Sequence, residues 1–180
     1  RRPGGSWCAG LRHTRPMAPP VQIRPARPAD ADAIAALILP IQQQEFGIPI
    51  TREAQPDLAD IQGFYQQGSG NFWVAEAGGT VVGSIGLRDI GAGQAALRKM
   101  FVAPAWRGAQ HGVAQGLLDT LAQWAAAHAV AEVYLGTTAQ FLAAHRFYEK
   151  NGFAQVERAA LPPAFPVMAV DSRFYRLRLG

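Results

Sequence analysis

From Gln94 to Thr137 the chain reads QAALRKMFV, a Pro-bearing turn, the glycine-broken loop RGAQHG, a helical stretch and then AEVYLGT. Val113, Leu117, Leu121 and Trp124 recur at helical spacing between about Gly112 and Ala127, while Gln115, Asp119 and Gln123 fall elsewhere on the turn. A strand, a crossover helix and a second strand in such close succession join parallel neighbours with right-handed chirality. A chain containing this unit must therefore build a sheet layered against helices. The crossover also has a chemical aspect. Backbone amides near Arg107, Gly108 and Gly112 meet a helix start with no bulky side chain in the way. The unpaired N–H groups and positive dipole end of such a terminus suit an anionic phosphate.

The flanking segments extend the sheet. Val21–Ala26 reads as a first strand, and Pro28-Ala29-Asp30 opens a helix expected to run to about Leu39, where Pro40 and the Gly47–Pro49 region interrupt it. A second helix is predicted over Asp57–Gln67, burying Leu58, Ile61, Phe64 and Tyr65. NFWVAEA, Gly78-Gly79 and TVVGSIGLRDI form a hairpin signal, the glycine pair supplying the positive φ of a primed turn. With Gln94–Val102 this makes a three-strand antiparallel meander. Ala131–Thr137 is a further strand, Phe141–Lys150 a helix, Phe153–Arg158 a strand and RFYRLRL the last strand. The expected class is α+β in α/β/α-type layers: a mixed, mainly antiparallel sheet of about seven strands with about four helices.

Composition narrows the functions. At 180 residues, with 49% apolar and 17% charged residues, one globular domain is expected at 21–180, after a disordered or extraneous tail at 1–20. The pI near 9.7 invites a nucleic-acid reading. Of the 17 Lys and Arg, however, four lie in residues 1–16, which hold no acid, leaving 13 against 13 Asp and Glu. A basic groove is therefore not expected, and Trp7, Trp73, Trp106 and Trp124 form no aromatic stripe interleaved with cations. The tail has an Arg-rich, acid-free make-up that a targeting peptide would share, and it lacks the apolar run of a secretory signal. No uninterrupted apolar run of about 18 residues predicts a membrane span. A cytoplasmic location is expected. Cys8 is the single cysteine, and the four histidines lack metal-ligand spacing, so neither an internal disulfide nor a metal is expected.

Two segments carry a family resemblance. Gly112-Val113-Ala114 followed by Leu117-Leu118 matches the second half of an Arg/Gln-x-x-Gly-x-Gly/Ala loop and its helix, and Phe147-Tyr148-Glu149-Lys150-Asn151-Gly152-Phe153 matches a Phe-Tyr-x-x-x-Gly-Phe helix end. In these motifs, and in the order of elements from Val21 to Leu179, the chain resembles the GNAT superfamily of N-acetyltransferases. There are two departures from the pattern. Ala109-Gln110-His111 lengthen the loop between Arg107-Gly108 and Gly112, and Phe141 stands where many members carry Asn, with Thr137, Thr138 or Gln140 as substitutes.

The resemblance implies an acetyl-CoA-dependent transfer of an acetyl group directly to a primary amine, with a small molecule as the default acceptor. It implies cofactor contacts at Met100, Phe101 and Val102 for the pantetheine arm, and at Arg107, Gly108, His111, Gly112, Val113 and Ala114 for the diphosphate. It makes Tyr148 a cofactor contact and the general acid toward the departing thiolate. The amine must be deprotonated before attack. Glu45, Asp89, His145 and Asp171 are the candidate bases, with Glu45 and Asp171 placed by the resemblance near the acceptor. His145 reads more readily as a helix-surface histidine, and Arg98-Lys99 as a strand-edge or cofactor-phosphate contact. Two alternatives remain in view: a non-catalytic acyl-CoA sensor of the same fold, and a protein N-terminal or lysine acetyltransferase. A homodimer is left open as the assembly.

Overall fold

The computed structural model describes residues 19–139 and 141–180, and the expectations for the tail and for Gln140 lie outside them. One mixed sheet organises the chain. Its strands are β1 (Val21–Pro25), β2 (Asn71–Ala77), β3 (Thr80–Gly91), β4 (Gln94–Val102), β5 (Glu132–Thr137), β6 (Ala154–Val156) and β7 (Arg173–Arg178). They lie side by side in the order β1-β2-β3-β4-β5-β7-β6. Every neighbouring pair is antiparallel except β4 and β5, the parallel pair expected from the crossover. Gly78 and Gly79, with φ of 55° and 80°, close the β2–β3 hairpin in the left-handed conformation that a primed turn requires.

Five helices flank the sheet: α1 (Ala31–Pro40), α2 (Pro56–Ala59), α3 (Ile61–Phe64), α4 (Val113–Ala127) and α5 (Leu142–Lys150). Alternation along β2 divides the core. Phe72 and Val74 pack with Ile34, Ile38, Leu58 and Ile61 on one face. Trp73, Ala75 and Ala77 pack with Leu117, Leu121 and Tyr148 on the other. Close packing of α4 is set by Gly83, where an added Cβ would come 2.9 Å from the Leu117 side chain. Arg24 ties the β1 edge together by pairing with Asp30 and Glu76, each at 2.7 Å, and Asp30 also caps the opening turn by accepting from the Arg27 amide. Among the described residues no helix is long and apolar enough to cross a membrane.

Three boundaries differ from the sequence expectation. The first helix does not stop before Pro40; it continues as a π-helical turn through Ile41–Glu45, closed by the Phe46 amide donating to the Ile41 carbonyl. Pro40 is the last residue of the regular helix, and the wider turn follows it. The helix expected over 57–67 is two short ones, because Asp60 caps α3 by accepting from the Gly63 amide and breaks the run. The sixth strand is only three residues long.

Candidate active site

The cleft begins with an irregularity in β4. Gly83 and Ser84 of β3 face Val102 and Phe101, but Gly86 faces Arg98, so Ile85 alone opposes both Lys99 and Met100. This is a β-bulge, and it bends the strand that carries it. Lys99 sits at φ 53°, a left-handed conformation rare for a residue with a side chain, and the fully buried Ser84 hydroxyl holds it there by donating to its carbonyl at 2.7 Å. Parallel pairing with β5 stops at Ala96–Tyr134. From Leu97 onward the β5-facing edge of β4 has no strand partner, and the two strands wall a cavity of about 570 Å³.

At one end the cavity meets the crossover loop. Gly108 and Gly112 adopt φ of 102° and 64°, and Gly112 precedes α4 without any side-chain cap. The first bond within the helix runs from the Gly116 amide to the Gly112 carbonyl, so the amides of Val113, Ala114 and Gln115 lack helical partners. Arg107, Gly108 and Ala114 line the cavity. Val113 buries its side chain in the core, leaving its amide for any ligand, while His111 is exposed with its ring 5.4 Å from that of Trp106. Arg107 donates from Nε to the Val102 carbonyl and grips both carboxylate oxygens of Glu45, with Nη2···Oε2 at 2.8 Å. That guanidinium lowers the Glu45 carboxyl below its ordinary value.

Tyr148 projects from α5 to the splayed strands. Its hydroxyl donates to the Met100 sulfur at 3.6 Å, and burial pushes the phenol well above its usual value. Phe153, Phe147 and Tyr175 surround it with ring centroids 5.4–6.1 Å away. Phe141, at the position of the expected Asn, packs edge-on against Phe46 at 4.3 Å. Beside it the Thr138 hydroxyl is buried with no partner and lines the cavity, as does Thr137.

The candidate bases separate by place. Asp89 lies outside the cavity and caps turns, accepting from the Gly91 and Ser69 amides. His145 is not on the helix surface as expected; it is buried, donating from Nε2 to the Thr138 carbonyl while Nδ1 accepts from Arg173. Asp171 lines the cavity, accepts from the Met168 amide at 3.0 Å and is raised by burial. It approaches Gly136 so closely that a Cβ there would fall 2.5 Å from its carboxylate. Of the two carboxylates lining the cavity, Glu45 is ion-paired and Asp171 is not.

A polar network behind this end was not foreseen. Gln42 and Gln55 exchange amide hydrogen bonds at 2.9 Å, the Lys99 ammonium donates to Gln55 and lies 3.8 Å from Asp57, and Asp57 accepts from the Tyr65 hydroxyl at 2.6 Å. Desolvation lowers Lys99. Arg98 completes the set, with Nε donating to the Tyr65 hydroxyl at 3.3 Å. Arg98 and Lys99 thus line the same cavity as Glu45 and Asp171. The available signal was polar Gln42 and Asp57 among the apolar residues Ile41, Leu58 and Ile61, with Gln55 just ahead of α2.

Comparison with known proteins agrees with this geometry. The model of the Acetyltransferase (GNAT) family matches residues 36–153. A GNAT-family acetyltransferase from Staphylococcus aureus Mu50 superposes with a TM-score of 0.85 at 35% identity, covering 89% of this chain and 99% of that one. An N-acetyltransferase from Thermoplasma acidophilum, solved in complex with coenzyme A, shares the fold at 16% identity with a TM-score of 0.67, over 88% of this chain and 98% of that one. The mouse protein "Probable N-acetyltransferase family 8 member 5" is 38% identical over 87 residues, which is 46% of this chain and 37% of the relative's own length. With the family model matching residues 36–153 and the fold shared at 35% identity with a GNAT-family acetyltransferase, this chain belongs to the Acetyltransferase (GNAT) family.

Proposed function

We propose that the protein is an acetyl-CoA-dependent N-acetyltransferase that passes the acetyl group directly to a primary amine of a small molecule. The residues present fit an acyl-CoA. The unpaired edge of β4 over Leu97–Val102 offers backbone donors and acceptors to an amide-bearing arm. The free amides at the start of α4 suit a diphosphate, and the orphaned Thr138 hydroxyl seeks a partner inside the cavity. Bound there, the thioester supplies an activated acetyl group and a thiolate leaving group.

The chain's own groups divide the proton work. Tyr148, kept protonated by burial, donates its hydroxyl proton to the departing sulfur. Asp171 takes the proton from the acceptor amine, directly or through a water. Its freedom from any ion pair and its raised pKa suit it to this better than Glu45. Glu45 instead positions Arg107 at the loop. The splayed β4 presents backbone N–H groups toward the carbonyl oxygen, where negative charge develops. Direct transfer accords with a sequence whose sole cysteine is Cys8, in the N-terminal segment outside the described residues.

The observation that carries the reading is Tyr148, aimed from α5 at the point where β4 and β5 part. The test is to mix the protein with acetyl-CoA and a panel of amines while following free thiol. Amine-dependent release supports transfer. Stabilisation by coenzyme A with no amine-dependent release at all would reduce the molecule to a sensor.

A further inference from the structure

The acceptor end of the cavity contains two opposite charges, Arg98 and Asp171, that feel each other without forming an ion pair. Arg98 lines it half-buried, and among the described residues no carboxylate comes within 4.0 Å of its guanidinium. Its partners are neutral: the Tyr65 hydroxyl at 3.3 Å, the Met168 sulfur at 4.0 Å and the Phe64 ring, whose centroid lies 5.5 Å away. Asp171 touches the same Met168 from the other side, through its backbone amide. Taking a guanidinium out of water without an anion is costly, and so is holding an unpaired carboxylate beside it.

The other charged groups facing this region are already matched. Lys99 has Asp57 and Gln55, and Glu45 has Arg107. What remains is one cation and one anion held apart across a single methionine. The walls around them are apolar, formed by Ile41, Phe46, Ile48, Phe165 and Val170. Such a site complements a ligand that is neutral overall, bears a carboxylate close to an amine and carries a hydrophobic body.

Resting on the transfer reading above, we propose that the acceptor is an α-amino acid with an apolar side chain, its carboxylate seated on Arg98 and its amine presented to Asp171. The bond formed is an amide between that amine and the acetyl carbon. The thioester C–S bond breaks, the amine proton passes to Asp171, and the sulfur leaves as free coenzyme A thiol after taking the proton of Tyr148. Arg98 here is a binding residue that fixes which amines enter, and a peptide or protein terminus lacks the free carboxylate it waits for.

The experiment compares leucine, leucinamide and 3-methylbutylamine as acceptors, with kcat/KM read from free thiol and with leucine binding to the coenzyme A-loaded protein read by calorimetry. Removing one partner of a buried charge pair costs about 2–5 kcal/mol, so leucine should exceed both uncharged-end analogues by at least about 30-fold. Arg98→Gln should lower kcat/KM for leucine by a similar factor and erase the preference for leucine over 3-methylbutylamine, and Arg98→Lys should restore part of that preference. If 3-methylbutylamine or leucinamide matches leucine in the wild type, the carboxylate proposal is overturned and transfer itself stands. If leucine binds in an Arg98-dependent way but no acceptor of any kind releases thiol, recognition stands and the transfer reading falls.

Discussion

The two halves of β4 are built from one strand and behave oppositely. Over Gln94–Ala96 it is bonded on both sides, to β3 and to β5, and Ala95 and Ala96 are fully buried. Over Leu97–Val102 it keeps β3 but loses β5, and Arg98–Val102 are all half-exposed along a cavity. Pairing with β5 ends at Ala96, and the bulge follows within the open half, where Lys99 turns left-handed and Ser84 fastens it. Residue type alone does not divide the halves. A stretch of sheet becomes a binding surface when a neighbour is withdrawn from it, and the open half is bent further by one extra residue.

This contrast can be broken at either end. The largest effect should come from the closed half: Ala95→Asp places a carboxylate opposite the fully buried Val133, and an unpaired buried charge costs several kcal/mol. Circular dichroism should show no cooperative melt, and a normal melt would mean that the closed half is looser than its packing indicates. In the open half, loss should appear in chemistry rather than folding. Tyr148→Phe should cut turnover about 10²-fold or more at an almost unchanged melting temperature.

Asp171→Asn should cost about 10²-fold as well, and it carries a pH signature. A carboxyl raised by burial gives up its proton only above the ordinary carboxylate range, so wild-type kcat should fall as pH drops through that raised value. The acid limb should vanish in the variant, and its persistence would move the base elsewhere. The smallest effect belongs to Glu45→Gln. This partly exposed pair with Arg107 should be worth less than about 1 kcal/mol in denaturant titration, with a modest rise in KM for acetyl-CoA. A collapse of kcat would restore Glu45 as a proton acceptor.

Much of the sheet could be read from the chain because its signals are local. Gly78-Gly79 between alternating strands names its own turn, and the apolar stripe Val113-Leu117-Leu121 names its own helix. The motif around Tyr148 could be read for the same reason. Pro40 misled because it sits in the last turn of the regular helix and the chain goes on winding beyond it as a π turn, and Asp60 because a cap within a helical pattern breaks it. His145 was placed on the surface because its partners, the Thr138 carbonyl and Arg173, arrive from other elements. The acceptor end was least legible. Arg98, Asp57 and Tyr65 sit on three separate elements, and Asp171 reaches the cavity because a glycine at 136 leaves it room.

The missing partner along β4 has a further meaning. A bare row of peptide groups normally invites any stray polypeptide to zip onto it. Here the row faces inward, between two walls that diverge from a common root at Ala96 and Tyr134. A passing strand would need space for side chains above and below, whereas a slender tether of methylenes and amides needs little. The wedge thus leaves those peptide groups better matched in width to a thin tether than to another strand.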